Sequence, residues 1–199
     1  MREKGLLKFT NHLFIREFLS NPLKIGAIRT SSNGLSQLIT DTARLADKKC
    51  VVEFGPGTSV FTKEILHKIN PECTFFCLET NPLFVEITQK KCPATTVYND
   101  SAEHIQYYLS KHEHTNCDCI ISGLPWAAFN DKQQQILMDA THEALEEGGV
   151  FLTMAYIQGD LMPSGLRFKR LLEEKFTTVK RTRIVWRNLP PAFVYCCTK

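Results

Sequence analysis

Short apolar runs alternate with segments of helical periodicity along the middle of this 199-residue chain. An apolar run of about five residues between turn signals is typical of a buried strand, whereas apolar residues spaced three and four apart indicate an amphipathic helix. The predicted strands are Cys50–Phe54, Thr74–Leu78, Thr95–Tyr98, Cys117–Ser122 and Val150–Met154. The predicted helices cover residues 58–69, 82–91, 101–110 and 131–146, and the last is expected to stop at the following glycine pair.

The order of these elements predicts the topology. Strands that alternate with helices are joined by right-handed crossovers, which place the strands parallel in one sheet with helices on both faces. Near the C-terminus, Thr177–Trp186 and Phe193–Cys197 are separated by six residues, too few for a crossover helix, so an antiparallel hairpin is predicted. The expected fold is α/β and Rossmann-like, with a mostly parallel seven-stranded sheet closed by a C-terminal hairpin. Residues 1–199 are expected to form a single domain.

Composition and charge narrow the possible partners. The chain is 43% hydrophobic and 23% charged, as in ordinary globular proteins. It has no apolar run of membrane-spanning length and no signal-peptide pattern, so a cytoplasmic protein is expected. Residues 1–30 carry six basic and two acidic side chains, and residues 167–199 carry nine basic and two acidic ones. Such basic ends suggest an anionic partner, either nucleic acid or a membrane surface, unless the side chains are merely solvated.

The N-terminal segment has a pattern of its own. In LLKFTNHLFIREFL, apolar residues recur at helical spacing, and Lys8 and Arg16 lie between them. We therefore predict a basic amphipathic segment over residues 1–30 that lies in an anionic membrane interface. An ordinary helix packed on the domain is the alternative.

The eight cysteines predict neither disulfides nor a metal centre. Several of them, such as Cys77, Cys119 and Cys196, lie inside apolar runs, where a free cysteine acts as a small hydrophobic residue. The segment HEHTNCDC, residues 112–119, is the one metal-like cluster, but its spacing matches no usual zinc pattern. No metal site is predicted.

The first strand runs into the strongest motif, VVEFGPGTSVFT. Gly55 and Gly57 allow a sharp turn and close approach of a ligand to the backbone. Thr58 and Ser59 can cap the next helix, whose N-terminus favours an anionic group. Glu79 lies near the end of the second strand, where its carboxylate is placed to accept hydrogen bonds from both hydroxyls of a ribose.

A third element, Asp100-Ser101-Ala102, follows the third strand, where Asp100 can accept a hydrogen bond from an adenine amine. Each feature alone has a simpler interpretation as a turn glycine, a surface glutamate or a helix cap. Together they predict a nucleoside cofactor, and Glu-x-Gly-x-Gly without a third glycine favours S-adenosyl-L-methionine over NAD. The cofactor-binding residues predicted in these elements are Glu53, Gly55, Gly57, Thr58, Glu79, Thr80, Asp100, Ser101 and Ala102.

The fourth strand ends in Ser122-Gly123-Leu124-Pro125-Trp126. Enzymes that methylate a base amine carry Asn- or Asp-Pro-Pro-Tyr, or Asn-Leu-Pro-Tyr, at this place, and Ser122 lacks the amide or carboxylate. An aliphatic ammonium must lose a proton before it attacks a methyl group, which desolvation favours, and the carbonyls of Ser122 to Leu124 could orient it. Trp126 either holds a cationic head group by cation–π attraction or packs under the next helix. Ser122 is also a predicted cofactor contact.

Four segments together resemble the bacterial phospholipid N-methyltransferases, class I methyltransferases related to the ribosomal RNA adenine dimethylases. They are FLSNPLKIGAIRTSSNGLSQLI at 18–39, EFGPGTS at 53–59, SGLP at 122–125 and WRNLPPAFVY at 186–195. The resemblance covers nearly the whole chain. It implies methyl transfer to phosphatidylethanolamine and its methylated forms, giving phosphatidylcholine, by an enzyme held peripherally at the inner face of the membrane. It also implies that Thr30, Ser31 and Ser32 lie over the methionine end of the cofactor.

The predicted substrate-site residues are Ser122, Leu124, Trp126 and Asn188, the last on the hairpin turn. Two other functions stay open. An adenine N6-methyltransferase acting on rRNA or another nucleic acid would explain the basic ends, but residue 122 is not Asn or Asp, and no additional domain that grips RNA is expected after the hairpin. A catalytically silent cofactor- or membrane-binding module is disfavoured because the whole set of cofactor motifs is intact. The expected partner is therefore a phospholipid rather than nucleic acid, with no obligate protein partner.

Overall fold

Seven strands form a single sheet in the computed structural model, which describes residues 32–199. They are β1 (Cys50–Phe54), β2 (Thr74–Leu78), β3 (Thr96–Tyr98), β4 (Cys117–Ser122), β5 (Leu145–Tyr156), β6 (Thr178–Arg181) and β7 (Ala192–Thr198). Their order in the sheet is β3-β2-β1-β4-β5-β7-β6. Strands β1 to β5 are parallel, and β7 runs antiparallel to both of its neighbours. The predicted fold class is confirmed.

The helices of the described residues lie on both faces of this sheet. They are α1 (Asn33–Ala43), α2 (Val60–Lys68), α3 (Pro82–Lys91), α4 (Ile105–Lys111), α5 (Asp131–Ala144), α6 (Ile157–Asp160) and α7 (Pro163–Lys175). Short 3-10 turns cover Leu45–Asp47, Ala102–His104 and Trp126–Ala128. Among residues 32–199, no helix combines the length and the apolar character needed to cross a bilayer.

The alternation of side chains along the strands divides the interior into two apolar layers. On one face, Val51 and Ile121 pack with Leu35 and Ile39 of α1 and Ile65 of α2. The other face is covered by α4, α5 and α7, and its buried residues include Val52, Ile120, Leu109, Met138 and Leu172. Because both faces are buried, the central strands read as continuous apolar runs, which is why the sequence located them well.

The hairpin differs from its prediction. Strand β6 ends at Arg181, whereas a strand was predicted over Thr177–Trp186. The cause lies at Thr182, whose hydroxyl oxygen accepts from Val194 N at 2.9 Å and takes the place of a backbone carbonyl in the ladder. Pairing returns as an isolated bridge between Val185 and Ala192. The connection of residues 182–191 is therefore longer than the six residues predicted.

Further boundaries depart from the sequence pattern. Helix α5 ends at Ala144, not at residue 146, because the chain enters β5 directly. Residues 146–149 form an irregularity in β5, between the Leu145 and Val150 pairings with β4, and Gly148 there has φ of +77°. Helix α7 was not predicted, although Phe168, Leu171 and Leu172 bury its apolar face at helical spacing.

One edge of the sheet collects the chemistry-bearing loops. The carboxyl ends of parallel strands meet at one edge, which is where such folds bind ligands. Strand β7 is antiparallel, so its first residue, Ala192, lies at the same edge and pairs with Tyr156 at the end of β5. The 182–191 connection therefore lies at the same edge of the sheet as the loops that follow β1, β2, β3 and β4.

Candidate cofactor and acceptor site

The loop after β1 makes two left-handed turns that favour glycine. Gly55 has φ of +65° and Gly57 has φ of +52°. A Cβ at Gly57 would meet nothing closer than the Gly55 carbonyl oxygen at 4.0 Å, so this side of the loop is open to a ligand. Ser59 precedes α2 but does not cap it with its side chain, because its hydroxyl pairs with Thr88 at 2.9 Å. The side-chain cap predicted at Ser59 is therefore absent.

Glu79 lies beside this loop, directly after β2. Its Oε2 accepts from Gly57 N at 3.3 Å, and its Oε1 accepts from Asn81 N at 2.9 Å. Burial raises the pKa of Glu79, and the backbone N–H donors of Asn81 and Gly57 lower it in part. A carboxylate has about four acceptor positions, so Glu79 keeps acceptor capacity for a ribose hydroxyl. The arrangement fits the predicted role of Glu79.

Asn99 was missed by the sequence reasoning. Its Nδ2 donates to the carbonyls of Glu79 at 2.9 Å and of Thr80 at 3.0 Å, which holds the end of β2 against the end of β3. The signal was present, because an asparagine directly after a strand commonly bonds to nearby backbone. Thr80 itself is exposed.

Asp100 is already engaged by its own segment. Its Oδ1 accepts from His104 Nδ1 at 2.9 Å and from Ser101 N at 2.7 Å, and its Oδ2 accepts from Tyr108 at 2.8 Å. The hydrogen bond with His104 is the main reason why the pKa of Asp100 is lowered. Asp100 also braces the turn at Ala102, a buried residue, so any bond to an adenine amine would use its remaining acceptor positions.

Glu53 lies in the interior rather than on the surface of the edge. It is fully buried in β1 between Cys77 of β2 and Ile121 of β4, and its Oε2 accepts from the Cys77 thiol at 3.3 Å. Burial raises the pKa of Glu53 from 4.5 to about 7. Its enclosed carboxyl group offers no surface for the direct cofactor contact that the motif suggested.

The loops after β1 and β4 touch through their backbones. Gly123 N donates to Phe54 O at 2.8 Å, and a Cβ on Gly123 would lie only 2.6 Å from Gly55 O. Conversely, a Cβ on Gly55 would meet Leu124 Cδ2 at 2.9 Å. The extra glycine of Ser-Gly-Leu-Pro is thus required by close approach, and Leu124 lies against the cofactor loop.

Ser122 and Trp126 shape the turn. Ser122 is fully buried, and its hydroxyl oxygen accepts from Leu124 N at 3.2 Å and from Trp126 Nε1 at 3.0 Å. The Trp126 ring is 2% exposed and stacks on Phe168 with ring centres 4.8 Å apart. The structure therefore contradicts the prediction that Trp126 offers an open ring to a cationic head group. The Ser122 hydroxyl is likewise buried and has no exposed surface with which to contact a substrate.

Asn188 joins the 182–191 connection to the start of α1. Its Oδ1 accepts from Ser32 N at 2.9 Å, and its Nδ2 donates to Pro190 O at 2.7 Å. Ser32 in turn caps α1, since its hydroxyl oxygen accepts from Leu35 N at 3.3 Å. Asn188 is buried, so it acts here by positioning rather than by an exposed amide. Thr30 and Ser31 lie outside the described residues, as does the amphipathic segment of residues 1–30.

The metal-like cluster of residues 112–119 is dispersed in the fold. His112 lies 3.0 Å from the Tyr98 hydroxyl, and His114 pairs with Thr74 at 2.9 Å. Cys117 and Cys119 are buried in β4, and burial raises the pKa of both thiols. In the part of the chain that the structure describes, no three potential ligands are grouped to hold a metal ion.

The fold can be compared with known structures. An O-methyltransferase dependent on S-adenosylmethionine, from Thermotoga maritima, superposes with a TM-score of 0.61 at 14% identity, over 88% of this chain and 69% of that one. A precorrin-6y C5,15-methyltransferase from Geobacter metallireducens GS-15 gives a TM-score of 0.60 at 17% identity, over 85% of this chain and 93% of that one. The chain has the class I methyltransferase fold.

Sequence comparison adds one end-to-end similarity. The chain is 26% identical over 188 residues to an ornithine lipid N-methyltransferase from Singulisphaera acidiphila, a match covering 93% of this chain and 94% of that protein. No protein-family model matches the chain. Together with the class I methyltransferase fold, this similarity supports S-adenosyl-L-methionine as the cofactor and methyl transfer as the general reaction.

Proposed function

We propose that this protein transfers a methyl group from S-adenosyl-L-methionine to the amine head group of a membrane lipid. The observation that carries the proposal is the loop after β4. Within residues 122–126, the only polar side chains are the Ser122 hydroxyl, which is buried and bonded within the turn, and the Trp126 ring nitrogen, which bonds to that hydroxyl. The amide of Asn130, further along the loop, caps α5 by accepting from Gln133 N. Residues 122–126 therefore have no amide or carboxylate to hold a planar base amine. The similarity to an ornithine lipid N-methyltransferase supports a lipid acceptor.

The cofactor would lie along the carboxyl edge of the sheet. Gly55 and Gly57 would let the cofactor approach the backbone closely. The Glu79 carboxylate would accept hydrogen bonds from the ribose hydroxyls, and the Asp100 carboxylate would accept one from the adenine amine. When bound, S-adenosyl-L-methionine supplies a sulfonium methyl group that an uncharged amine can attack. The close packing of Leu124 on Gly55 keeps the acceptor loop beside that position.

The acceptor would be oriented by a backbone carbonyl. In the loop after β4, Ser122 O accepts from the Thr153 hydroxyl at 3.2 Å, and Leu124 O accepts from Trp126 N at 3.0 Å. Among residues 32–199, no donor bonds to Gly123 O, which leaves this carbonyl for the N–H of an incoming amine. No residue from 122 to 126 has an acidic or basic side chain, so this loop favours the neutral amine by desolvation and positioning.

Two lipids satisfy this chemistry. Phosphatidylethanolamine and its methylated forms are the acceptors that the sequence resemblance implies, with phosphatidylcholine as the product. An ornithine lipid is the second candidate, because it is the substrate named for the relative. We further propose that the protein is cytoplasmic and binds the inner face of the membrane through its basic N-terminal segment. Deleting residues 1–17 should then weaken sedimentation with anionic vesicles and leave cofactor binding unchanged.

The test is methyl incorporation from labelled cofactor into three acceptors offered separately. These are phosphatidylethanolamine vesicles, ornithine lipid vesicles and total RNA, and Glu79→Ala serves as the inactive control. Labelling of either lipid with inert RNA is expected, and the more active lipid identifies the head group. RNA labelling with both lipids inert would replace the proposal with a nucleic-acid methyltransferase. Cofactor binding without transfer to any acceptor would favour the silent module.

A further inference from the structure

Three apolar side chains of the 182–191 connection are turned toward solvent. Trp186 is 69% exposed, Leu189 is 50% exposed and Ile184 is 37% exposed. They lie within six consecutive residues, and we call these three side chains the apolar tip. Large apolar side chains grouped in this way on a surface mark an interaction site.

The apolar tip is held firmly at the functional edge of the sheet. Its base is fixed by the bridge between Val185 and Ala192 and by the Asn188 bond to Ser32. Gly34 of α1 lies against it, since a Cβ there would be 3.6 Å from Val185 Cγ1. A rigid base with exposed apolar ends is suited to partial insertion into an interface rather than to closing over the sheet.

All charged residues near the apolar tip in the sequence are basic. Arg183 and Arg187 flank Trp186, and residues 175–199 contain no aspartate or glutamate. Arg181 is committed to Asp160, to which it donates at 2.8 Å. Among the described residues, neither Arg183 nor Arg187 forms an ion pair, and both are exposed. In a lipid surface, two such guanidinium groups would bind the phosphate groups, and the neighbouring exposed apolar side chains would contact the acyl chains beneath them.

A further leucine extends the same edge. Helix α6 begins with a hydrogen bond from Ile157 N to Pro191 O at 3.2 Å, so it adjoins the end of the connection. Leu161, directly after α6, is 72% exposed. An aromatic and leucines rimmed by basic groups are the composition of helices and loops that lie in a membrane interface.

We propose that the apolar tip, with Arg183 and Arg187, inserts into an anionic lipid surface and sets the candidate acceptor site against the head groups. The inference rests on the proposed lipid substrate, since an acceptor embedded in a bilayer must be reached without leaving it. Charge complementarity commits the surface to an anionic membrane. The tip belongs to the folded edge next to Ser32 and Asn188.

The two tryptophans of the chain provide the test. Trp186 is exposed and Trp126 is buried, so fluorescence of the full-length protein reports both environments. The probe is a vesicle of phosphatidylglycerol and phosphatidylcholine, with bromine-labelled acyl chains as quencher. A blue shift and quenching of Trp186, lost in Trp186→Phe, are expected. Vesicle binding without quenching of Trp186 would overturn the proposal, as would a spectral change with RNA but not with vesicles.

Variants separate the tip from the rest of the surface. Changing Ile184, Trp186 and Leu189 together to serine should weaken vesicle binding by about tenfold or more. Tyr107→Ser replaces an exposed aromatic side chain outside the tip and should have no effect on vesicle binding. Arg187→Gln should weaken binding about fivefold, and Arg44→Gln, which changes an exposed arginine at the C-terminal end of α1, should not. Equal binding by the triple variant and the unchanged protein would show that the tip does not insert.

Activity measurements distinguish this inference from the proposed function. The triple variant should lose methylation of lipid in vesicles but keep methylation of the same lipid dispersed in detergent micelles. Loss in both forms would mean that the tip shapes the active site, contradicting an insertion role. If the unchanged protein methylates no lipid yet Trp186 is quenched by vesicles, the proposed function fails while the membrane surface stands.

Discussion

Gly123 lies directly against the carbonyl of Gly55, so that a Cβ on Gly123 would be 2.6 Å from Gly55 O. This contact sets the acceptor loop on the cofactor loop without any side chain between them. It explains why a glycine stands in Ser-Gly-Leu-Pro, where base methylating enzymes have none. The two loops should therefore respond together to a change in either.

Gly123→Ala is expected to push the two loops apart. Overpacking of this kind costs about 1–3 kcal/mol of stability, and the displaced loop should weaken cofactor binding as well. Calorimetry with S-adenosylhomocysteine and urea unfolding would measure both effects. Gly34→Ala is the matched control, because a Cβ on this residue of α1 would make an ordinary 3.6 Å contact with Val185. Unchanged cofactor affinity in Gly123→Ala would show that the contact does not position the loop.

Glu79→Gln should weaken cofactor binding. The side chain keeps its size but loses the charge that would strengthen bonds to ribose hydroxyls, each worth about 1.5–3 kcal/mol when charge-assisted. A fall in S-adenosylhomocysteine affinity of at least about tenfold is expected by calorimetry. Glu86→Gln, an exposed glutamate on α3, should leave the affinity unchanged. Equal affinities in both variants would remove Glu79 from the cofactor site.

The buried carboxyl group of Glu53 should make the free energy of unfolding depend on pH. Its pKa is about 7 in the folded protein and 4.5 as its ordinary value, so the folded state binds one more proton between these pH values. The free energy of unfolding should thus fall as pH rises from about 4.5 to 7, by at most about 3 kcal/mol from this group. Urea unfolding of Glu53→Gln should lack this part of the decline. An identical pH profile in the variant would place the shift elsewhere.

Ser122→Ala and Trp126→Ala should act mainly on stability. Removing the Ser122 hydroxyl leaves the buried Trp126 Nε1 without its acceptor, at a cost of about 1–3 kcal/mol. Truncating Trp126 removes a core aromatic and should cost about 3–5 kcal/mol. Trp126→Phe keeps an aromatic ring but removes the Nε1–H donor. Ser122→Ala should therefore cost less stability in the Trp126→Phe background, because no buried donor is left without an acceptor. Selective loss of lipid binding in Trp126→Ala, with normal urea unfolding, would restore a substrate role for the ring.

Asn188→Ala should loosen the start of α1. It removes the acceptor of Ser32 N and the donor to Pro190 O, so a loss of about 1–3 kcal/mol is expected. Because Thr30 to Ser32 are proposed cofactor contacts, the dissociation constant for S-adenosylhomocysteine should rise as well. Asn188→Asp keeps the acceptor and should recover part of the affinity. A loss of stability with no change in affinity would limit Asn188 to a structural role.

The sequence by itself determined the sheet and the order of the binding motifs. Strands β1, β2 and β4 matched their predicted ends because short apolar runs buried on both faces have few alternatives. The glycines of the first loop and Glu79 lie at the strand ends where the sequence placed them for a similar local reason, since a motif at a strand end is placed by the strand. The β6 boundary and helix α7 were not, because a threonine side chain in the ladder and a mostly polar helix leave a weak pattern.

Only the tertiary structure decided the roles of Trp126, Gly123 and Asn188. An aromatic after a turn reads equally well as a substrate wall or as core, and the choice depends on Phe168 from a distant helix. Gly123 and Asn188 likewise act through Gly55 and Ser32, the latter 156 residues away in the chain. Such contacts arise when separate loops meet at one edge of the sheet. No local pattern of residues encodes that meeting.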